Sequence, residues 1–246
     1  MEFVDAMIED LTWFGFDWQE GPDCGGRFAP YNQSERLPFY RAAFEQLRAG
    51  GFIYPCTCSR KDIRTAASAP HAGDDGVIYP GTCRPKSVRY EGSGVRSKTG
   101  RCQLDTSHPA PGIRTNWRFR VPDGETISFR DGGFGAQQFM AGTDFGDFVV
   151  WRQDGTPSYQ LACTVDDAAM QITEVVRGAD LLVSTARQLL LYRALGLRAP
   201  GYYHCELMTD EKGVRLAKRH DALSLRQLHE RGEMPERLRA TLEFCG

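Results

Sequence analysis

No stretch of this chain approaches the ~20 consecutive apolar residues that a membrane-crossing helix needs, and no apolar secretion segment opens it. A strong charge imbalance is also missing. The 30 Lys and Arg stand against 32 Asp and Glu, a formal net charge of -2. There is no global pull toward a polyanion, so a nucleic-acid partner would need a local basic surface. Arg215, Lys218, Arg219 and Arg226 form a candidate cluster, with a solvated face as the plain alternative. Eight cysteines among 246 residues are too few for a disulfide scaffold and, without a secretion segment, point to a reducing compartment. The five histidines form no recognisable triad or metal pair, and no internal repeat is present. A chain of this length supports one large domain or two smaller ones with a sizeable core. It is expected to be cytoplasmic, monomeric and without membrane contact.

What is present begins with Tyr54-Pro55-Cys56-Thr57-Cys58-Ser59-Arg60, answered downstream by Tyr79-Pro80-Gly81-Thr82-Cys83-Arg84. Cys56, Cys58, Tyr79 and Cys83 make a four-ligand set of the kind zinc binds tetrahedrally in structural sites. Tyrosine is the unusual member, because its phenol ordinarily titrates near pH ~10, and a divalent cation can lower that as it does for thiols. A loop with incidental cysteines is the alternative. A disulfide between Cys56 and Cys58 is disfavoured if the segment is extended.

Periodicity supplies the coarse structure. Phe3, Met7, Ile8, Leu11 and Phe14 share one helical face over residues 1–15, and Gly15 stops it. A second helix is predicted from about Ser34 to Arg48, with Ser34 as N-cap, Pro38 near its first turn and Gly50-Gly51 at its end. Phe52, Ile53 and Tyr54 form a short strand. Trp117–Val121 and Thr126–Phe129 flank Pro122-Asp123-Gly124, a β-hairpin signal. Phe148–Arg152 reads as a strand, Ser158–Thr164 as helix or strand, and Leu181 onward as a helix to Gly196, with Thr185 a possible N-cap. Strands and helices flanking a small β-rich, cysteine-bearing insert indicate an α/β protein.

The motifs in order are Cys-x-Cys, Tyr-x-x-x-Cys, Phe119–Gly124, Gly146–Val150, Asp154–Ala162, Val165-Asp166-Asp167, Thr173–Leu181 and Gly213–Arg219. Each is weak alone; in this order, and over nearly the whole chain, they resemble the glutamyl-Q tRNA(Asp) synthetases. Those are short relatives of the class I glutamyl-tRNA synthetases. The resemblance implies a Rossmann-type nucleotide-binding domain with an inserted zinc-bearing module. It implies segments at residues 1–52 (first half of the domain), 53–147 (the insert), 148–205 (second half) and 206–246 (signature loop and start of a helical region). The implied reaction activates glutamate with ATP, as magnesium complex, and transfers it to queuosine in the anticodon of tRNA(Asp). Lys218 matches the ATP-contacting lysine of the KMSKS-type loop, where a cation stabilises charge developing on pyrophosphate. Tyr159 and Arg177 match glutamate-contacting positions, Arg177 with a fork suited to a carboxylate. The four residues Cys56, Cys58, Tyr79 and Cys83 match zinc ligands. His204 matches a position before the loop and reads as structural.

Bland readings stand beside these. Arg177 and Glu174 at helical spacing suit a surface ion pair, Tyr159 a packed aromatic, and Lys218 a solvated charged run. Asp166-Asp167 suggests a magnesium site or a helix N-terminus, and carries no catalytic assignment. The chain has no HIGH-type motif and no Arg-x-Glu-Asp stretch, and Arg215 and Ala217 replace the usual Lys and Ser of the signature. The expectation is of a family chain lacking its first strand and inactive by itself. The alternatives are a fragment of a glutamyl-tRNA synthetase or a non-catalytic, zinc-stabilised tRNA-binding module.

Overall fold

The computed structural model describes residues 2–59, 61–63, 78–85, 115–207 and 224–243. Contacts divide the chain into two compact units, residues 1–35 with 207–246, and Arg36–Glu206. The smaller unit holds α1 (Glu2–Phe14), α5 (Leu225–Glu230) and α6 (Pro235–Glu243). Gly15 ends α1 with φ +96°, a conformation that favours glycine. Arg226 joins α5 to α1 by ion pairs to Glu9 and Asp10 and a bond to the Ala6 carbonyl. Trp13 stacks on His229 with ring centroids 4.6 Å apart.

Among the described residues the larger unit contains α2 (Leu37–Ala49), α3 (Tyr159–Ala169), α4 (Leu182–Leu195) and seven strands. Strands β1 (Ile53–Cys56), β2 (Asn116–Phe119) and β5 (Phe148–Trp151) form an antiparallel sheet in the order β1-β2-β5, with Ile53 opposite Phe119 and Cys56 opposite Asn116. Strands β3 (Thr126–Asp131), β4 (Gly135–Met140), β6 (Glu174–Gly178) and β7 (Gly201–Cys205) form a mixed sheet in the order β4-β3-β7-β6. Strands β6 and β7 are parallel, with α4 as the crossover between them. Tyr40, Phe44 and Leu47 of α2 meet Phe119, Phe148, Leu161, Val165, Leu190 and Leu191 in one core. Among the described residues no helix is long and apolar enough to cross a membrane.

Several local expectations need correction. The strands around Pro122-Asp123-Gly124 exist but do not pair with each other: β2 joins β1 and β5, while β3 pairs with β4. The Val121 amide donates to Asp147 and the Gly124 amide to the Ala141 carbonyl, so this segment carries the chain from one sheet to the other. Ser34 lies in a 3-10 turn (Gln33–Glu35), and α2 begins after Arg36 because Pro38 is tolerated only in a helix's first turn. Thr185 lies inside α4, where Leu181 precedes the first turn. Segment 174–178 is a strand, so Glu174 and Arg177, three apart, point to opposite faces and do not pair as helical neighbours. Residues 158–169 resolve as a helix capped by Ser158, whose hydroxyl accepts from the Leu161 amide.

Asp166 is structural. Its carboxylate accepts from Arg36 Nε at 2.6 Å and from the Tyr40 hydroxyl at 2.8 and 2.9 Å, tying α3 to the start of α2 in the interior. Removing one member of a buried ion pair strands the other's charge. Asp166→Ala should therefore cost ~3–5 kcal/mol in urea unfolding of the full chain, and Arg36→Met/Asp166→Leu should recover most of it. A double variant as unstable as the single would show that the pair itself supplies the stability.

Candidate active site and cysteine cage

Strand β1 delivers Cys56 to a small buried cluster with Tyr54 and Tyr79, against which Cys58, Ile63 and Cys83 pack. The sulfurs of Cys56, Cys58 and Cys83 lie within 4.8 Å of one another, Cys58 to Cys83 at 3.5 Å. The Tyr79 Oη lies 3.4 Å from Cys56 Sγ and 3.7 Å from Cys58 Sγ. A tetrahedral zinc with sulfurs at about 2.3 Å would hold adjacent donors roughly 3.6–3.8 Å apart. The donor set fits that ion in both chemistry and spacing.

The cage is braced from outside. Arg118 donates Nε to Cys56 Sγ at 3.3 Å and Nη1 to the Asp147 carbonyl at 3.0 Å, and its guanidinium carbon lies 3.9 Å from the centre of the Tyr79 ring. Buried Asp147 accepts from the Tyr54 hydroxyl at 2.5 Å and the Val121 amide at 2.8 Å, and pairs with Arg84 Nε at 3.1 Å. Burial pushes the Cys58 thiol up to about 11, opposed by its hydrogen bond with Tyr79. Burial also works on Cys83, but hydrogen bonds from the Thr57 backbone, Tyr79, Cys58 and Cys56 outweigh it and bring that thiol down to about 7. Burial, then the bond with Cys56, holds the Tyr79 phenol well above its ordinary value; the Cys83 amide, donating at 2.8 Å, works the other way.

The second constellation follows from parallel register. Arg177 on β6 sits directly beside His204 on β7, and its Nε donates to His204 Nε2 at 3.2 Å. Its Nη2 donates to Thr185 Oγ1 at 2.7 Å and to Gln188 Oε1 at 2.9 Å, both from α4. The Tyr202 ring lies 5.2 Å from the guanidinium. Behind His204, Asp131 Oδ2 faces Nδ1 at 2.5 Å, while Oδ1 accepts from the amides of Gly133, Phe134 and His204. Burial opposes ionisation of Asp131, but these bonds, led by that from His204, hold its carboxyl below the usual range. Gly133 is required here, because a Cβ would stand 2.1 Å from the His204 carbonyl oxygen.

Tyr159 opens α3 and is half exposed. Burial and neighbouring Cys163 raise its phenol, and the nearby Arg177 guanidinium opposes them. The structure thus brings Tyr159 and Arg177 together. Lys218 lies outside the described residues. Asp131, Thr185, Gln188 and Arg118 carried no sequence signal as site residues, because each acts through a partner on another element that only the fold brings alongside.

Strands β6 and β7 with α4 between them form a parallel strand–helix–strand unit that carries Arg177, and Tyr159 opens the neighbouring α3. The family model for tRNA synthetases class I (E and Q), catalytic domain, matches residues 1–246, and the chain belongs to that family of ligases. Within it the chain groups with the glutamyl-Q tRNA(Asp) synthetases. It is 46% identical over 231 residues to the protein of that name from Nitratidesulfovibrio vulgaris, covering 94% of this chain and 67% of the relative. It is also 46% identical over 238 residues to the one from Symbiobacterium thermophilum, covering 95% and 68%. Glutamate–tRNA ligase 2 of Nitrosococcus oceani is 40% identical over 237 residues, 96% of this chain and 47% of that protein. The solved glutamate–tRNA synthetase of Elizabethkingia anophelis superposes with a TM-score of 0.69 at 26% identity, over 88% of this chain and 42% of that one. The chain thus spans about two thirds of its glutamyl-Q relatives and under half of the glutamate–tRNA ligase.

Two outcomes test this geometry. Purified protein should carry ~1 zinc per chain and Cys58→Ser should lose it; stoichiometric zinc in Cys56→Ala/Cys83→Ala would rule the cage out. Asp167 provides a pH test. Burial pushes its carboxyl up to about 6, against the Tyr192 hydroxyl and the Arg177 charge. A folded value above the unfolded one means that ionised Asp167 costs stability above that pH, and the cost vanishes on acidification below the unfolded value. Asp167→Asn should therefore stabilise the chain by ~1–3 kcal/mol near pH ~8 and by little near pH ~4. Equal urea midpoints for variant and parent at both pH values would contradict this.

Proposed function

We propose that this chain carries the glutamate site of a glutamyl-Q tRNA(Asp) synthetase, whose reaction activates glutamate with ATP and transfers it to queuosine in the anticodon of tRNA(Asp). The juxtaposition of Arg177 and Tyr159 carries this reading, because a fixed guanidinium beside a phenol is suited to a carboxylate substrate. The identity to two glutamyl-Q tRNA(Asp) synthetases supports the acceptor.

Each residue has a defined part. Arg177 binds and orients a substrate carboxylate. Tyr159 supplies a hydroxyl at the edge of the same site. Lys218, on its signature loop, balances charge developing on the leaving pyrophosphate, an effect that acts in the transition state. Cys56, Cys58, Tyr79 and Cys83 hold a structural zinc that ties the end of β1 to the segment at 79–83. Magnesium accompanies ATP. The segments 1–52, 53–147, 148–205 and 206–246 describe the first domain half, the zinc-bearing insert, the second half and the signature loop region. The reaction places the protein in the cytoplasm, where tRNA is, and it acts as a monomer.

A second reading, charging of the 3′ end of a tRNA, is favoured by the 40% identity to a glutamate–tRNA ligase. Glutamate-dependent ATP–pyrophosphate exchange by the full chain tests activation. Where exchange is present, Lys218→Ala is expected to lower turnover far more than glutamate affinity. Labelled glutamate released from tRNA(Asp) with its queuosine base, rather than from the 3′ end, identifies the acceptor. Salt-sensitive tRNA binding with no exchange would instead identify a non-catalytic binding module.

A further inference from the structure

We propose that Asp131 and His204 are positioning residues that aim the Arg177 guanidinium, so that a substrate carboxylate meets Arg177 through Nη1 alone. This deepens the glutamate-site reading and rests on it.

The polarity of the chain of bonds is forced. Arginine has only donors, so the contact from Arg177 Nε to His204 Nε2 at 3.2 Å requires Nε2 to accept. The ring is then neutral with its proton on Nδ1, which faces Asp131 Oδ2 at 2.5 Å. Asp131 cannot turn away, because its Oδ1 is held by the amides of Gly133, Phe134 and His204. The carboxylate fixes the tautomer, and the tautomer fixes the acceptor offered to Arg177.

The rest follows by counting donors. A guanidinium has five N–H groups. One goes to His204, and both on Nη2 go to Thr185 and Gln188. The two on Nη1 make none of these bonds. Either side-by-side fork of the guanidinium would need Nε or Nη2, and both are engaged. The usual two-pronged grip is thereby exchanged for a single nitrogen whose direction is set. The buried members, Asp131 and His204, stand behind a half-buried one. The Thr185 hydroxyl also lies 3.2 Å from Nε2, so the same ring nitrogen faces two of the groups around Arg177.

The test uses the full chain. Long-range 1H–15N correlation of the His204 ring near neutral pH should show a neutral ring protonated on Nδ1. An imidazolium, or a proton on Nε2, would overturn the proposal whatever the chain binds. Glutamate affinity by titration calorimetry supplies the second arm. Arg177→Ala is the control: binding equal to that of the parent, or none by the parent, removes the glutamate-site reading and this proposal with it. Where Arg177→Ala abolishes binding, Asp131→Asn decides. Its amide keeps an oxygen for the three backbone amides but donates to Nδ1, moving the ring proton to Nε2 against the Arg177 donor, the wrong-tautomer effect known for histidines held by a carboxylate. Glutamate should then bind on the order of ten- to a hundredfold more weakly, with the proton seen on Nε2. His204→Gln, which can still offer an oxygen to Arg177, should retain more affinity than His204→Phe. Parent-like affinity in a folded Asp131→Asn carrying Nε2–H would overturn the proposal while leaving Arg177 in the site.

Discussion

A guanidinium taken out of water must find acceptors for its N–H groups, and three arginines impose that constraint on the larger unit. Arg36 meets Asp166, itself bound by Tyr40. Arg118 meets the Asp147 carbonyl and the Cys56 sulfur, with the Tyr79 ring against its face. Arg177 meets His204, Thr185 and Gln188. Each reaches partners on other elements, so satisfying each cation joins elements that hydrophobic burial, which has no direction, would leave in several arrangements. Buried ion pairs contribute little net stability on average. The consequence of the three arginines is geometric: α2 against α3, the cage against the residue that leads into β5, and β6 against β7 and α4.

The parts legible in the sequence are those set by local periodicity. The helix α1 up to Gly15, the end of α2 at Gly50 and Gly196 in its left-handed conformation at the end of α4 all follow from spacing and from the freedom of glycine. The parts that were not legible depend on partners chosen at a distance. Trp117–Val121 and Thr126–Phe129 alternate as hairpin strands should, yet alternation says which face is buried and not which strand lies alongside. The Arg177–Glu174 pairing failed for a related reason, because spacing of three is adjacent in a helix and opposed in a strand.

The two sites differed in the same way. The cage was legible because its ligands come in two short runs whose residue types have few other reasons to recur. The surroundings of Arg177 were not, since Asp131 lies 73 residues from His204 and meets it only through strand order. His204 read as structural, and it is buried as a structural residue would be. Its second nitrogen gives it a further part. One ring faces a carboxylate and a guanidinium at once, and the same burial that makes it look inert removes the water that would otherwise compete for both bonds.

Tyr79 shows the opposite tension. Burial and a sulfur neighbour favour its neutral phenol, while the Cys83 amide pointed at its oxygen and the Arg118 cation over its ring favour the phenolate. Neither set of groups by itself accounts for placing a tyrosine among three thiols. The proposed zinc would, since it would supply the positive charge that offsets burial of a phenolate and thiolates. Asp147 and Arg118 then have a use beyond their own pairing: they hold β1 and the segment at 79–83 at a spacing that matches a tetrahedral ion, which lowers the ordering cost of binding it. The cage and the surroundings of Arg177 share one arrangement, in which a buried carboxylate sits one step behind the group proposed to meet a ligand.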